Sequence, residues 1–262
     1  MIPKAYITEW SNFVPWKANE QVEQDLVIGR ALIEIYSDEF LSKSLAFRGG
    51  TALHKLFLTP QMRYSEDIDL MQINAGPFGE LADRLASRLS FLGDPRRLRK
   101  ENNFTLLFRF ESEYPPVQTL KLKVETNCRE HFTVTGFNEV PFAINSRWYS
   151  GGTNIVTYHL EELTATKLRA LYQRSKGRDL YDLYKVLTMH PNLDYIKTLE
   201  IYYHYMKFTV EPPSKKRFTD NLTVKMQDSD FLGDTTAILS PNEKYDPVQA
   251  FLLVKKHFLE NL

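Results

Sequence analysis

The stretch RYSEDIDLMQI, Arg63 to Ile73, sets Asp67 and Asp69 two positions apart with Ile68 and Leu70 interleaved. Side chains alternate along a β-strand, so Ile68 and Leu70 face a core while both carboxylates emerge together on the other face. Two like charges held that close repel unless something positive lies between them. A metal ion, an arginine or bulk water would each relieve the repulsion.

Upstream, AFRGGTALHKLF reads as a very short strand, a glycine turn and a helix starting near Thr51. Gly49 and Gly50 let the backbone turn tightly and approach a ligand, and the helix behind them presents free N–H groups to an anion such as phosphate. The same residues also suit a plain strand-to-helix turn with Thr51 as its N-cap, and the Walker A pattern is absent. Magnesium prefers one or two carboxylates plus substrate phosphates to a closed protein cage. A carboxylate pair on a strand close to a phosphate-binding turn supplies that arrangement. Downstream, TLKLKVETNC puts Leu120, Leu122 and Val124 on one strand face and Lys121, Lys123 and Glu125 on the other. Glu125 is then either a third acid that activates the attacking group or shares a second metal, or a surface charge paired with Lys121 or Lys123.

The rest of the chain frames these motifs. Asn19 followed by Glu20 caps a helix through about Ser42, in which Val22, Leu26, Ile33, Tyr36 and Phe40 recur at helical spacing. GPFGELADRLASRLSFLG gives another amphipathic helix closed by Gly93. FTLLFRFES and TLKLKVETNC are strands joined as a hairpin through EYPPVQ, and residues 132 to 158 read as short strands and loops. After about Tyr158 the pattern turns helical, in HLEELTATKLRALYQRS, GRDLYDLYKVLTM, LDYIKTLEIYYHYMKF and DPVQAFLLVKKHFLENL. The expected fold is α/β (α+β): a mixed sheet flanked by helices over residues 1–158, then a helical domain over 159–262.

That helical half carries a second cluster. Lys167 lies within the apolar stripe of Leu160, Leu163, Leu168 and Leu171, and an ammonium there either needs an anion or snorkels over apolar surface. Arg174 follows two turns later, and KGRDLYDLY adds Arg178 with Asp179 and Asp182 three apart on one helical face. Lys167, Arg174 and Arg178 have the chemistry to bind a triphosphate with the aspartates orienting them, although ion pairs alone would also account for the set.

Composition excludes other classes. With 33 basic and 33 acidic residues, no global positive field draws nucleic acid, so any such contact uses local patches. RRLRK (Arg96–Lys100) and SKKR (Ser214–Arg217) are the available runs, and as plain sequence both suit solvated loops. The single cysteine, Cys128, rules out an internal disulfide and a cysteine zinc knuckle, and the six histidines form no HExxH. No stretch is long and apolar enough for a signal or a membrane span, so a cytoplasmic protein without membrane contact is the expectation.

In order, GGTAL, RYSEDIDL, KVETN and TATKLRALYQRSKGRDLYDLY resemble the AbiEii/AbiGii toxin family, a branch of the polymerase-beta-like nucleotidyltransferase superfamily. The resemblance covers roughly residues 47 to 187. It places the family's glycine motif on Gly49, Gly50 and Thr51, and its arginine-serine-acid motif on Arg63, Ser65, Asp67 and Asp69. The lysine motif falls on Lys167 with Arg174, the last motif on Arg178, Asp179 and Asp182, and the superfamily's third acid on Glu125. It implies a nucleotidyltransferase-type sheet and Mg²⁺ (or Mn²⁺) on Asp67 and Asp69, with Lys167 and Asp182 also catalytic. The implied reaction moves a nucleotidyl group from a nucleoside triphosphate to an acceptor, RNA and in some relatives the tRNA 3′ end. The implied role is the toxin of a toxin–antitoxin or phage-defence pair whose antitoxin need not touch it. One departure is the longer gap between Gly50 and Asp67, with LTPQM inserted. A DxD glycosyltransferase using a nucleotide-sugar, or a non-catalytic nucleotide-binding module, would share the aspartates but gives no reason for the glycine turn and Lys167 together.

Overall fold

The structure, a computed structural model, describes residues 2–262. Its contacts divide the chain into two units, one running to Thr133 and including Phe137–Tyr158, the other made of Val134–Gly136 and His159–Leu262.

The first unit is built on one mixed seven-stranded sheet. Its strands are β1 (Leu45–Arg48), β2 (Asp67–Gln72), β3 (Arg96–Lys100), β4 (Asn103–Glu111), β5 (Thr119–Asn127), β6 (Phe137–Asn145) and β7 (Ser150–Tyr158), in the order β3-β4-β5-β2-β1-β7-β6. β2 is central, antiparallel to β1 and parallel to β5. The expected hairpin forms between β4 and β5, with Phe108 opposite Leu122. Residues 132–158 contain two strands of nine residues each, longer than their sequence suggested. RRLRK is an edge strand rather than a loop. Its backbone pairs with β4 while all five side chains stay in solvent, so the charges cost nothing to burial.

Helices α1 (Lys4–Trp10), α2 (Asn19–Tyr36), α3 (Glu39–Ser44), α4 (Gly49–Leu56) and α5 (Gly79–Arg88) complete this unit. α2 buries nearly its whole circumference and packs on β5, β6 and β7, as expected of a helix apolar on most sides. It ends at Tyr36 instead of running to Ser42, and Ala18, not Asn19, stands at its N-cap. The cause is Asp38. Its Oδ1 accepts from the N–H groups of Phe40 and Leu41, both at 3.1 Å, and caps a separate α3. Its Oδ2 accepts from Arg84 and Arg88 at 2.7 Å each. Burial opposes that charge, but the two arginines hold the Asp38 pKa at about 2. Phe40 therefore leaves the core and is 37% exposed.

The second unit is helical: α6 (Leu160–Gln173), α7 (Gly177–Met189), α8 (Tyr195–Thr209), α9 (Lys215–Lys225), α10 (Ser229–Gly233) and α11 (Pro247–His257). α6 packs on α7 and α8, α7 on α11, around Leu163, Leu168, Leu183, Tyr202 and Phe218. SKKR is the start of α9, with Ser214 as N-cap, rather than a loop. The fully buried Glu162 ties in residues 134–136, accepting from the N–H groups of Val134 and Thr135 at 2.9 and 3.1 Å and from the Tyr205 hydroxyl at 2.7 Å. Among the described residues no helix is long and apolar enough to cross a membrane.

Candidate active site

In β2, Ile68 and Leu70 are buried while Asp67 and Asp69 are partly exposed on the opposite face, as the alternation predicts. The sheet register sets Asp69 between Arg48 of β1 and Glu125 of β5, and Asp67 opposite Lys123. Directly opposed residues share a face, so all three acids lie on one side of the sheet.

The glycine turn meets this face. Gly49 has φ +80°, which glycine adopts at little cost, and a Cβ built on it would come within 2.3 Å of Asp69 Oδ2. The Asp69 carboxylate thus lies against the backbone that opens α4. Arg48 occupies the N-cap position, and its own side chain makes no cap hydrogen bond to the first turn. Thr51 is therefore not the N-cap. Its hydroxyl bonds Ser65 Oγ at 2.6 Å and the Asp67 carbonyl, holding α4 to the start of β2. Arg63 is buried, and its guanidinium donates to the Tyr64 carbonyl at 3.1 Å. Gly49→Ala is expected to lower stability by about 1–3 kcal/mol, from left-handed backbone strain and displacement of Asp69. A thermal midpoint equal to wild type would show that this packing is not needed.

Electrostatics on the face is unbalanced. Burial first, then the neighbouring Asp69, raises the Asp67 pKa to about 6. The positive group that the sequence left unidentified is Lys123, bound to Glu125 Oε2 at 2.6 Å. Partial burial opposes the Lys123 charge, yet the Glu125 hydrogen bond and the charges of Asp67 and Asp69 push its pKa up. Asn103 donates to Glu125 Oε1 at 2.8 Å, and Arg48 donates to Glu130 at 2.8 Å. The Lys123–Glu125 pair is one of the two the sequence offered, whereas Asn103 beside Glu125 and Lys123 opposite Asp67 escaped it because strand register brings them together.

A raised carboxyl pKa stabilises the fold while the proton is bound. Without divalent cations, the contribution of Asp67 is complete below about pH 4 and is lost as pH rises through about 6. Relative to Asp67→Asn, the wild type is expected to lose about 1.4 kcal/mol between pH 5 and 7.5 in thermal or urea unfolding. Parallel stability curves would refute the repulsion.

In the second unit, Lys167 is 7% exposed and bridges two fully buried aspartates, Asp179 at 3.1 Å and Asp182 at 2.8 Å. Arg174 makes a bidentate pair with Asp179 at 2.7 and 2.8 Å, and its side chain is 54% exposed. Burial opposes the Asp179 charge, but Lys167 and Arg174 hold its pKa below the usual carboxylate value. Arg178 forks onto Asp234, a residue the sequence did not single out, at 2.9 and 3.0 Å. The Lys225 ammonium caps the end of α6, donating to the carbonyls of Tyr172 and Arg174 at 2.9 Å each.

The fold has known counterparts. MenT4, a nucleotidyltransferase toxin of Mycobacterium tuberculosis H37Rv, superposes with a TM-score of 0.62 at 15% identity, covering 100% of this chain and 91% of its own. JHP933 from Helicobacter pylori gives 0.58 at 19% identity, over 92% and 90% of the two chains. No curated protein matches the chain in sequence. The family model of the nucleotidyl transferase AbiEii toxin of type IV toxin–antitoxin systems matches residues 30–252, a span that takes in the glycine turn, the β2 aspartates and the Lys167 helix, and the chain belongs to that family.

Proposed function

We propose that this toxin nucleotidyltransferase moves a nucleotidyl group from a nucleoside triphosphate to an RNA acceptor, with Mg²⁺ (or Mn²⁺) held by Asp67 and Asp69. The observation that carries the reading is the packing of Asp69 against the Gly49 turn, which puts a carboxylate beside the N-terminus of α4, whose N-cap residue Arg48 makes no side-chain cap hydrogen bond. The donors fit a hard cation: they are carboxylate oxygens, and their mutual repulsion already raises the Asp67 pKa. Among the described residues no group of three or more His, Cys, Asp or Glu forms a ready metal cage, which suits an ion that takes substrate phosphates into its shell.

When bound, the cation would polarise the α-phosphate and offset charge on the departing pyrophosphate. Gly49, Gly50 and the first turn of α4 hold phosphate oxygens through backbone N–H groups. Thr51, Ser65 and Arg63 act as positioning residues, fixing α4 against the start of β2. Glu125 receives the acceptor hydroxyl and takes its proton as the oxygen attacks phosphorus. In the helical unit Arg174 and Arg178 have the chemistry to carry phosphate charge, with Asp179 orienting Arg174 and, together with Asp182, holding Lys167.

In its narrowest form the acceptor is a tRNA 3′ end, and the protein acts in the cytoplasm, in antiviral defence, with an antitoxin that need not touch it. Family membership favours this chemistry over nucleotide-sugar transfer or a non-catalytic module. Incubation with each α-labelled NTP, Mg²⁺ and total RNA is expected to label RNA with one or more nucleotides and to fail in EDTA. Absence of label on RNA together with absence of nucleotide binding would overturn the reading.

A further inference from the structure

The sheet register extends the carboxylate face well beyond the carboxylates. One row runs Asp69, Glu125, Thr105, Leu98, the next Asp67, Lys123, Leu107, Arg96, and a third Asn127, Asn103, Lys100. Arg109 and Lys121 oppose each other on the same face of β4 and β5. The alternating residues Leu106, Phe108, Phe110, Leu120, Leu122 and Val124 are buried, which separates the open face from the core face. Arg96, Leu98, Lys100, Arg109 and Lys121 are all exposed.

Of the two arginines on the core side of β3, one is ion-paired. On the core side Arg97 is bound to Asp83 at 2.6 Å. On the carboxylate side, Arg96, Lys100, Arg109 and Lys121 have no carboxylate within ion-pair distance among the described residues. A protein of zero net charge has thus gathered unneutralised cations on the sheet face that also bears its catalytic acids. At about 4.8 Å per strand, β3 lies about 14 Å from β2, within the reach of a ~4–16-nucleotide single-strand footprint.

Strand order gives the patch a direction. The Gly49 turn, where triphosphate is held, lies on the β1 side of β2, whereas Glu125 and the basic strands lie on the β5 side. Attack opposite the leaving pyrophosphate needs nucleotide and acceptor on opposite sides of the reacting phosphorus.

From this we infer that the acceptor RNA reaches Glu125 as a single strand laid across β3, β4 and β5, its phosphates on Arg96, Lys100, Arg109 and Lys121. The inference rests on the nucleotidyl-transfer reading and adds to it the surface that receives the second substrate. Leu98, Thr105 and Asn103, interleaved with the cations, meet sugars and bases and leave recognition mostly to the backbone.

Fluorescence anisotropy with a labelled single-stranded RNA, at about 100 mM salt, tests it. Arg96→Glu/Lys100→Glu is expected to raise Kd at least about tenfold and to lower the salt-dependence slope by about 2. Arg99→Glu, on the same strand but the core-side face, is expected to leave Kd within about twofold. Thermal unfolding of both variants checks the fold. Binding of a non-hydrolysable NTP is expected to be unchanged in the double variant. Loss of nucleotide binding in the wild type would instead indict the transfer reading, so the two failures are distinguishable. An unchanged Kd in the double variant, an equal loss in Arg99→Glu, or no RNA binding by the wild type would overturn the inference. Displacement of RNA by polyglutamate at equal charge would also overturn it, in favour of an acidic protein partner.

Discussion

Asp69→Asn is expected to reduce nucleotidyl transfer by about 10³-fold or more while leaving the protein folded. Of the three acids, Asp69 has the most constrained position. Its neighbours across the sheet are Arg48 and Glu125, and its carboxylate lies against Gly49. Asparagine keeps the shape and loses the charge, so α4 and β2 need not move. What disappears is the carboxylate that packs against the Gly49 turn. Because the Asp69 charge also helps to raise the pKa of Asp67, the variant is expected to show a lower Asp67 pKa and a flatter dependence of stability on pH between 5 and 7.5. Transfer is read as label on RNA and the pKa through pH-dependent unfolding. Transfer at a tenth of the wild-type rate or better, with a normal fold, would remove Asp69 from the reaction.

The reading of RYSEDIDLMQI succeeded because strand alternation is a local property: Ile68 and Leu70 went inward and the aspartates outward. The same logic placed Leu122 and Val124 against Lys123 and Glu125. It failed where structure depends on distant partners. The ladder that makes RRLRK a strand is supplied by β4, and nothing within five charged and apolar letters announces it. Asp38 looked like an interior helical residue because its cap role and its two arginines, 46 and 50 positions away, emerge only in three dimensions. The site divides in the same way. Its acids are legible as a motif, but Lys123 as their counter-charge needs the β2–β5 register. Lys167 was legible as a charge in an apolar stripe. That it is buried between two aspartates, with Arg174 the more exposed cation, was not.

Burial of Lys167 changes what its substitution measures. Lys167→Met is expected to destabilise the protein by about 3–5 kcal/mol, because it strands buried carboxylate charge, and to lower the thermal midpoint by roughly 10 °C. Asp182 pairs with Lys167 at 2.8 Å. Lys167→Met/Asp182→Asn, which removes both members of that pair, is therefore expected to recover part of the lost stability, a coupling that two independent sites would not show. Loss of toxicity in the single variant cannot by itself assign Lys167 a place in the chemistry, since an unfolded toxin is also inactive. Arg174→Ala separates the two cases. Its side chain is 54% exposed and Asp179 retains Lys167, so stability is expected to fall by only about 1 kcal/mol. Transfer by Arg174→Ala is expected to fall at least about tenfold if the cation proposed to bind phosphate is lost. If Lys167→Met unfolds at the wild-type temperature, the buried triad is not structural and Lys167 returns as a direct phosphate ligand. If Arg174→Ala transfers nucleotide at the wild-type rate, the exposed guanidinium has no part in binding the triphosphate.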